Sequence, residues 1–186
     1  MATWCVSATR FSNFVALPNK NAPNGAFFSI SASMSSYHFI LNPRYKELGG
    51  KTHLVSVLDA NNMPLENGMA LFSMVSIKDI PFFLRNALDK ISRSYANYAG
   101  LAFGFCPAEE YDGLPEIPDN FVELADFTGT SLIPITDFYA LCLAFAHKSI
   151  EAYHYHDLQK SGAVDARWLE EIEEIIPELE KLSKYR

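Results

Sequence analysis

Residues 28 to 35 read Phe-Ser-Ile-Ser-Ala-Ser-Met-Ser, a strict alternation of apolar and polar side chains. Successive side chains of a β-strand point to opposite faces, so this stretch predicts a strand with one buried face and one wet face. The dipeptide Asn24-Gly25 before it is a strong turn signal, which favours a hairpin between Phe11–Leu17 and Phe27–Met34. The period of two therefore indicates that the chain opens as a sheet.

Further apolar segments bounded by turn residues extend this predicted sheet. Tyr37–Leu41 follows as a short strand, and His53–Asp59 and Met69–Ile77 are expected to form a second hairpin. Trp4–Ala8 is a candidate edge strand. Short polar loops join these segments, so residues 1–77 predict an antiparallel β-meander rather than alternating β-α-β units.

The hydrophobic period changes from two before residue 78 to 3.6 after residue 135, which predicts strands in the first region and helices in the second, and one further helix is predicted between them. This helix covers Asp79–Tyr98, with Pro81 in the first turn, where its missing N–H is harmless. Its apolar residues recur at helical spacing and predict one buried stripe. That stripe comprises Ile80, Phe83, Leu84, Ala87, Leu88, Ile91, Tyr95 and Tyr98.

The C-terminal part, residues 136–185, is expected to be helical. Thr136 is the predicted cap of a helix that reaches about Lys160. Asp165 is the predicted cap of a last helix, whose apolar stripe keeps its phase through Pro177. An unbroken phase favours one kinked helix over two separate helices.

Between these regions, Leu101–Cys106 predicts a buried strand, and Pro107–Asn120 is a loop with three prolines and five acidic residues. Long loops without secondary structure are often functional. Phe121–Phe127 fits a strand and a helix equally well. Taken together, these patterns predict one α+β domain over residues 1–186. It comprises a strand-rich part (1–77), a helix (79–98), a strand and acidic loop (101–135) and a helical part (136–185). Three main helices pack against the meander.

The predicted core follows from the helical stripes. The residues expected to be buried are Phe83, Leu84, Leu88, Ile91, Phe145, Trp168, Ile172 and Ile176.

Charge is distributed unevenly along the chain, whose net charge is -7. Residues 1–93 contain nine Lys or Arg against five acids, whereas residues 94–147 contain eight acids and no Lys or Arg. The exposed side of the first predicted helix carries Arg85, Lys90 and Arg93, which suit phosphate binding but more often form a solvated face. Direct nucleic-acid binding is not expected, because it usually needs a basic field over the whole domain.

Three further features restrict the class of protein. Met1–Leu17 lacks the pattern of a secretory signal, so a cytoplasmic location is expected. The longest apolar run, Phe138–Ala146, has nine residues, far fewer than the roughly 20 that a membrane-spanning helix needs, so no membrane partner is expected. Cys5, Cys106 and Cys142 are widely separated in apolar sequence, which predicts reduced core thiols rather than a disulfide set, a zinc site or a nucleophile.

Three side chains of the predicted C-terminal helix have the spacing of metal ligands. His147, Glu151 and His154 fall at i, i+4 and i+7 of the predicted helix, and Glu151-x-x-His154 has the spacing found in di-iron bundles. Such bundles supply a second Glu-x-x-His, which this chain lacks. Histidines near a helix C-terminus also interact well with the helix dipole. We therefore expect no metal and no cofactor, with a metal-dependent enzyme as the alternative.

The acidic loop is the predicted binding site. Its candidate partner-binding residues are Glu109, Glu110, Asp112, Glu116 and Asp119. Their spacing does not match a calcium loop, so a basic protein partner is the favoured ligand, although charge runs are often only solvated. The leading hypothesis is a binding protein, a cytoplasmic inhibitor or immunity-type protein that covers a basic nucleic-acid-processing partner. A third hypothesis is a structural or assembly subunit, in which the 13% aromatic content forms an oligomer contact.

Overall fold

The structure, a computed structural model, describes residues 37–47, 49–50, 53–59, 61–62, 68–96, 99–104 and 117–184. Its strands are β1 (Tyr37–Leu41), β2 (Val55–Asp59), β3 (Arg93–Ala96), β4 (Ala99–Phe103), β5 (Phe121–Asp126) and β6 (Gly129–Pro134). Its helices are α1 (Leu71–Met74), α2 (Ile80–Leu88), α3 (Ile135–His156) and α4 (Trp168–Leu182), and a 3₁₀ turn at Ile77–Asp79 precedes α2. The predicted α+β class is confirmed.

Both sheets are antiparallel. β1 and β2 pair as predicted from the strand pattern, with Phe39 opposite Val57. The second sheet has the order β3-β4-β5-β6, a meander built from residues 93–134. The segment 121–127, which fitted a strand or a helix, is strand β5, and the strand predicted at 101–106 is β4. The predicted hairpin and edge strand before residue 37 lie outside the described residues.

The prediction of a strand over Met69–Ile77 is wrong, because this segment forms α1 and the start of the 3₁₀ turn. Contacts with the β5–β6 hairpin hold it. The buried Asp126 carboxylate accepts the Ala70 N–H at 3.0 Å. Gly68, with φ of 89°, lies so close to β5 that a Cβ would be 2.1 Å from the Leu124 carbonyl oxygen. The chain is therefore fixed as a turn followed by a helix.

The prediction of one helix over Asp79–Tyr98 is wrong beyond Leu88, where α2 ends. Lys90 adopts a left-handed conformation, with φ of 52°. The Ile91 N–H donates to the Asn86 carbonyl at 2.9 Å, and the Lys90 N–H donates to Ala87 at 3.4 Å. These two bonds form a Schellman motif, which ends the helix and sends the chain into β3.

The same motif ends α3 at His156, four residues before the predicted end at Lys160. Asp157 has φ of 47°, and the Leu158 N–H donates to the Tyr153 carbonyl at 3.2 Å. At the other end, α3 begins at Ile135 with Pro134 at the cap position, so the predicted Thr136 cap is wrong.

α4 begins at Trp168 and continues through Pro177 to Leu182, which confirms one helix across the proline. Asp165 does not cap α4, because the cap position is Arg167. The Asp165 carboxylate instead accepts the N–H of Arg167, the residue directly before α4, at 2.9 Å.

The core is built around Phe72, which lies against four other phenylalanine rings. Its centroid is 5.4 to 6.3 Å from the rings of Phe39, Phe83, Phe138 and Phe145. These five side chains come from β1, α1, α2 and α3, so aromatic packing joins both halves of the described chain. They belong to one hydrophobic cluster that extends to Leu179 of α4. The division of residues 1–186 as one domain stays a prediction.

The core predictions are mostly confirmed. Phe83, Leu84, Phe145, Trp168 and Ile172 are buried. Leu88 and Ile176 are half-buried. The prediction that Ile91 is buried is wrong, because this side chain follows the Schellman motif and is 45% exposed.

Candidate functional site

The candidate site lies at one end of the four-stranded sheet. Leu101 pairs with Arg93, and Phe103 pairs with Val122. Phe121 pairs with Pro134, and α3 begins directly after Pro134. Five element ends therefore meet here: the start of β3, the end of β4, the start of β5, the end of β6 and the N-terminus of α3. The acidic segment of the sequence is the connection from β4 to β5, so it leaves and rejoins the sheet here.

Both attachment points of this connection are held by hydrogen bonds. The Phe103 N–H donates to the Ser92 hydroxyl at 2.9 Å, which fixes the end of β4 beside the residue before β3. The Phe121 N–H donates to the Pro118 carbonyl at 2.8 Å, and the Ile135 N–H donates to the Asn120 carbonyl at 2.8 Å. Ile117 is buried and anchors the turn that leads into β5. The chain that carries the acids thus enters and leaves through defined structure.

The structure shows one of the five predicted site residues. Asp119 is exposed, in the turn before β5. Glu109, Glu110, Asp112 and Glu116 lie outside the described residues. Their role as a partner-binding set stays a prediction.

A further acid joins Asp119 at this end of the sheet. Asp137 is half-exposed in the first turn of α3, which starts where β6 ends. Neither Asp119 nor Asp137 belongs to any of the four ion pairs that the described residues form. The position of Asp137 could not be found from the charge run alone, because it depends on the pairing of β5 with β6.

Cations also reach this end of the sheet. Arg93 begins β3, and its guanidinium carbon lies 4.4 Å from the centroid of the Phe82 ring. Lys90 lies in the turn just before it, and both side chains are exposed. Sequence reasoning placed these residues on the solvated face of a long helix. The early end of α2 instead places Arg93 at the start of β3, beside the end of β4 where the acidic connection begins.

The metal-ligand constellation faces water. His147, Glu151 and His154 are all exposed on α3, on the side opposite the buried Phe138, Cys142 and Phe145. The Glu151 carboxylate forms an ion pair with Lys148 at 2.5 Å. Within the part of the chain that the structure describes, no three His, Cys, Asp or Glu side chains are grouped so as to hold a metal. The expectation of no metal and no cofactor stays a prediction.

The neighbouring His156 has a structural role that the sequence did not reveal. It is 2% exposed, its Nε2 is 2.9 Å from the Asn42 carbonyl oxygen, and its ring lies 5.4 Å from the Tyr45 ring. This histidine attaches the end of α3 to the turn after β1. Of the three histidines of α3, the one that sequence reasoning left out of the metal set is the buried one.

Cys142 does not fit a nucleophile. It is fully buried in α3, and burial raises the pKa of its thiol well above the usual value. The thiolate, which is the reactive form, is therefore disfavoured. Cys5 and Cys106 lie outside the described residues.

Comparison of the chain with protein-family models, with curated proteins and with solved structures gave no match. Among the helices of the described residues, none is long and apolar enough to cross a bilayer.

Proposed function

We propose that this protein is a binding protein of the inhibitor or immunity type. Its acidic surface at the end of the four-stranded sheet covers a basic site on a nucleic-acid-processing protein in the cytoplasm. The partner-binding residues are Glu109, Glu110, Asp112, Glu116 and Asp119. The observation that carries the proposal is the stretch of 54 residues, 94–147, without Lys or Arg, in which the connection with five acids leaves and rejoins the sheet at this one end.

The pairing of β4 with β5 supports a surface on which the acidic residues lie close together rather than one on which they are spread over the fold. Acids that follow one another in sequence can lie far apart in a fold. Here the connection that carries five of them starts after Phe103 and ends before Val122, and these two residues are paired neighbours. Asp137, at the start of α3, adds a carboxylate at the same end.

The chemistry of such a surface suits a partner that binds phosphates. Carboxylates carry negative charge, as phosphates do, so the basic active site of a nucleic-acid enzyme attracts them. Complementary fields of this kind raise the association rate. Arg93 begins β3 beside the end of β4 and offsets part of the negative charge where the connection starts.

The metal-dependent enzyme receives no support from the geometry. His147, Glu151 and His154 are exposed, and Glu151 already has Lys148 as an ionic partner. An exposed helix face also cannot exclude water from a reacting centre.

The test is affinity capture from the native host with the wild-type chain and a loop variant, Glu109→Gln, Glu110→Gln and Asp112→Asn. A partner that binds the loop should be captured by wild type and lost with the variant. Its association rate should then fall steeply as salt rises, while its dissociation rate changes less. An unchanged midpoint of urea unfolding for the variant is the check that lost binding does not come from lost folding.

A matched control removes the same amount of negative charge elsewhere. Glu47→Gln, Glu173→Gln and Glu180→Gln change three exposed acids on other elements. If the control variant and the loop variant bind the captured partner with equal rates and equal salt slopes, only net charge matters and the proposed site is wrong. Capture of a partner with no excess of basic residues would also contradict the proposal.

A further inference from the structure

The outer surface formed by α2 and α4 has two halves of opposite charge. Between Ile80 and Arg93 the chain carries three cations, Arg85, Lys90 and Arg93, against the single acid Asp89. α4 carries six glutamates against the single Lys181. The two helices are neighbours, since the Arg85 guanidinium lies 3.9 Å from the Glu174 carboxylate. A positive strip therefore runs beside a negative strip.

The positive half also exposes large apolar side chains. Phe82 is 43% exposed and Ile91 is 45% exposed, and the Arg93 guanidinium lies over the Phe82 ring. The outward stripe of α2 contains Phe82 and Arg85 and continues to the cap residue Asp89, since these positions are spaced at i, i+3 and i+7 and all are exposed. Aromatic and arginine side chains of this kind are enriched at protein interfaces.

The negative half follows one side of α4. Glu170, Glu174 and Glu178 recur every four residues, and all three are exposed. Because Glu174 reaches Arg85, this row is the side of α4 that borders α2. The pair itself is wide and exposed, with 44% and 72% of the two side chains accessible, so it leaves both charges accessible to a further partner.

From this arrangement we propose that the α2–α4 face binds a second copy of the chain. A two-fold axis along the boundary between the helices places α2 of each copy opposite α4 of the other. Arg85 and Arg93 then face the glutamate row, and Phe82 is covered by α4 of the other copy. Such an isologous contact is self-complementary by symmetry, so the same surface supplies both charges. This inference does not depend on the partner proposed above, although Arg93 borders both surfaces.

The expected association is weak. α2 and α4 have nine and fifteen residues, so they are about 13 and 22 Å long at about 1.5 Å per residue. A face of two such helices lies at the small end of specific interfaces, and a dissociation constant of about 10 to 100 µM is expected. The net charge of -7 on each chain opposes dimerisation further.

The experiment is sedimentation velocity of the full chain from about 1 to about 500 µM, a range that brackets this affinity. The mass should rise from 20.9 kDa towards twice that value. An Arg85→Glu, Arg93→Glu variant and a Glu170→Lys, Glu174→Lys variant should each weaken self-association at least tenfold. Mixing the two variants should restore a dimer, because every opposed pair then has opposite charge.

The control is Lys46→Glu, a charge reversal on the exposed turn after β1, which should leave the association unchanged. Restoration by mixing separates a lost contact from a misfolded variant. A mass of 20.9 kDa at every concentration would overturn the proposal. So would a dimer that neither charge-reversed variant weakens, since another surface would then form it.

Discussion

Replacing Trp168 with Phe should test how α4 is attached to the rest of the fold. The Trp168 indole N–H donates to the Ile77 carbonyl at 2.7 Å, which links α4 to the turn before α2. Its ring stacks on Tyr153 of α3, with centroids 5.5 Å apart and an interplanar angle of 7°. Trp168 is only 3% exposed. One side chain thus joins three elements.

The expected loss of stability follows from these contacts. The Ile77 oxygen also accepts the Ile80 N–H, so it keeps one partner when the indole is removed. The lost hydrogen bond then costs about 1 kcal/mol net rather than the full penalty of an unpaired group. Loss of the buried second ring of Trp168 adds about 1 to 2 kcal/mol. The free energy of unfolding should fall by about 2 to 3 kcal/mol, which lowers Tm by about 5 to 10 °C for a chain of this size.

Urea unfolding followed by far-UV circular dichroism is the suitable assay, because the substitution removes a tryptophan fluorophore. A double-mutant cycle with Tyr153→Leu isolates the stacking contact, which should couple the two sites by about 0.5 to 1.5 kcal/mol. The cycle also subtracts the hydrogen bond from the Tyr153 hydroxyl to Gln159. A Trp168→Phe change below about 0.5 kcal/mol, with no coupling, would refute this description of the α3–α4 contact.

Three further perturbations have defined outcomes. Gly68→Ala should lower the free energy of unfolding by about 2 to 5 kcal/mol in the same urea assay, because a Cβ there meets the Leu124 carbonyl and φ is positive; an unchanged midpoint would contradict the close approach. Cys142 should resist alkylation in the folded chain and react on unfolding, as followed by mass spectrometry, because it is buried and its thiol pKa is raised; rapid labelling of the native protein would contradict its burial. Burial raises the pKa of Tyr95 to about 12 from 10.0, so the unfolded chain ionises first and stability should be lost between pH 10 and 12. Tyr95→Phe should reduce the slope of stability against pH in that window, and an unchanged slope would contradict the raised pKa of Tyr95.

Sequence periodicity predicted where helices exist better than where they end. A glycine usually marks the left-handed residue after a helix, and no glycine follows α2 or α3 directly. Lys90 and Asp157 take that conformation instead, and the two extra hydrogen bonds of each Schellman motif offset the strain. The apolar phase continued past Lys90 by chance, so Ile91 and Tyr95 were assigned to a helical stripe. Nothing in the local sequence signals this ending.

The candidate site was predictable only in part. The absence of Lys and Arg from residues 94–147 is a property of the sequence, and Asp119 is exposed as the acidic-loop hypothesis requires. The approach of Arg93 to the end of β4 depends on the register of β3 against β4, which no local pattern encodes. The glutamate row of α4 could have been found from its four-residue spacing. Its position beside α2 could not, because that is a tertiary contact.

The pairing of β4 with β5 has a consequence for how the acidic connection can change over time. Phe103 and Val122 are paired across 18 intervening residues, 104–121, and the entropy lost on bringing two such ends together grows only with the logarithm of the number of residues between them. Doubling the loop would cost about 0.6 kcal/mol, less than one buried methylene group. Insertions between Gly104 and Ile117 would therefore add little closure entropy to the cost of folding. Selection can adjust the length and charge of this segment while the sheet beneath it stays the same.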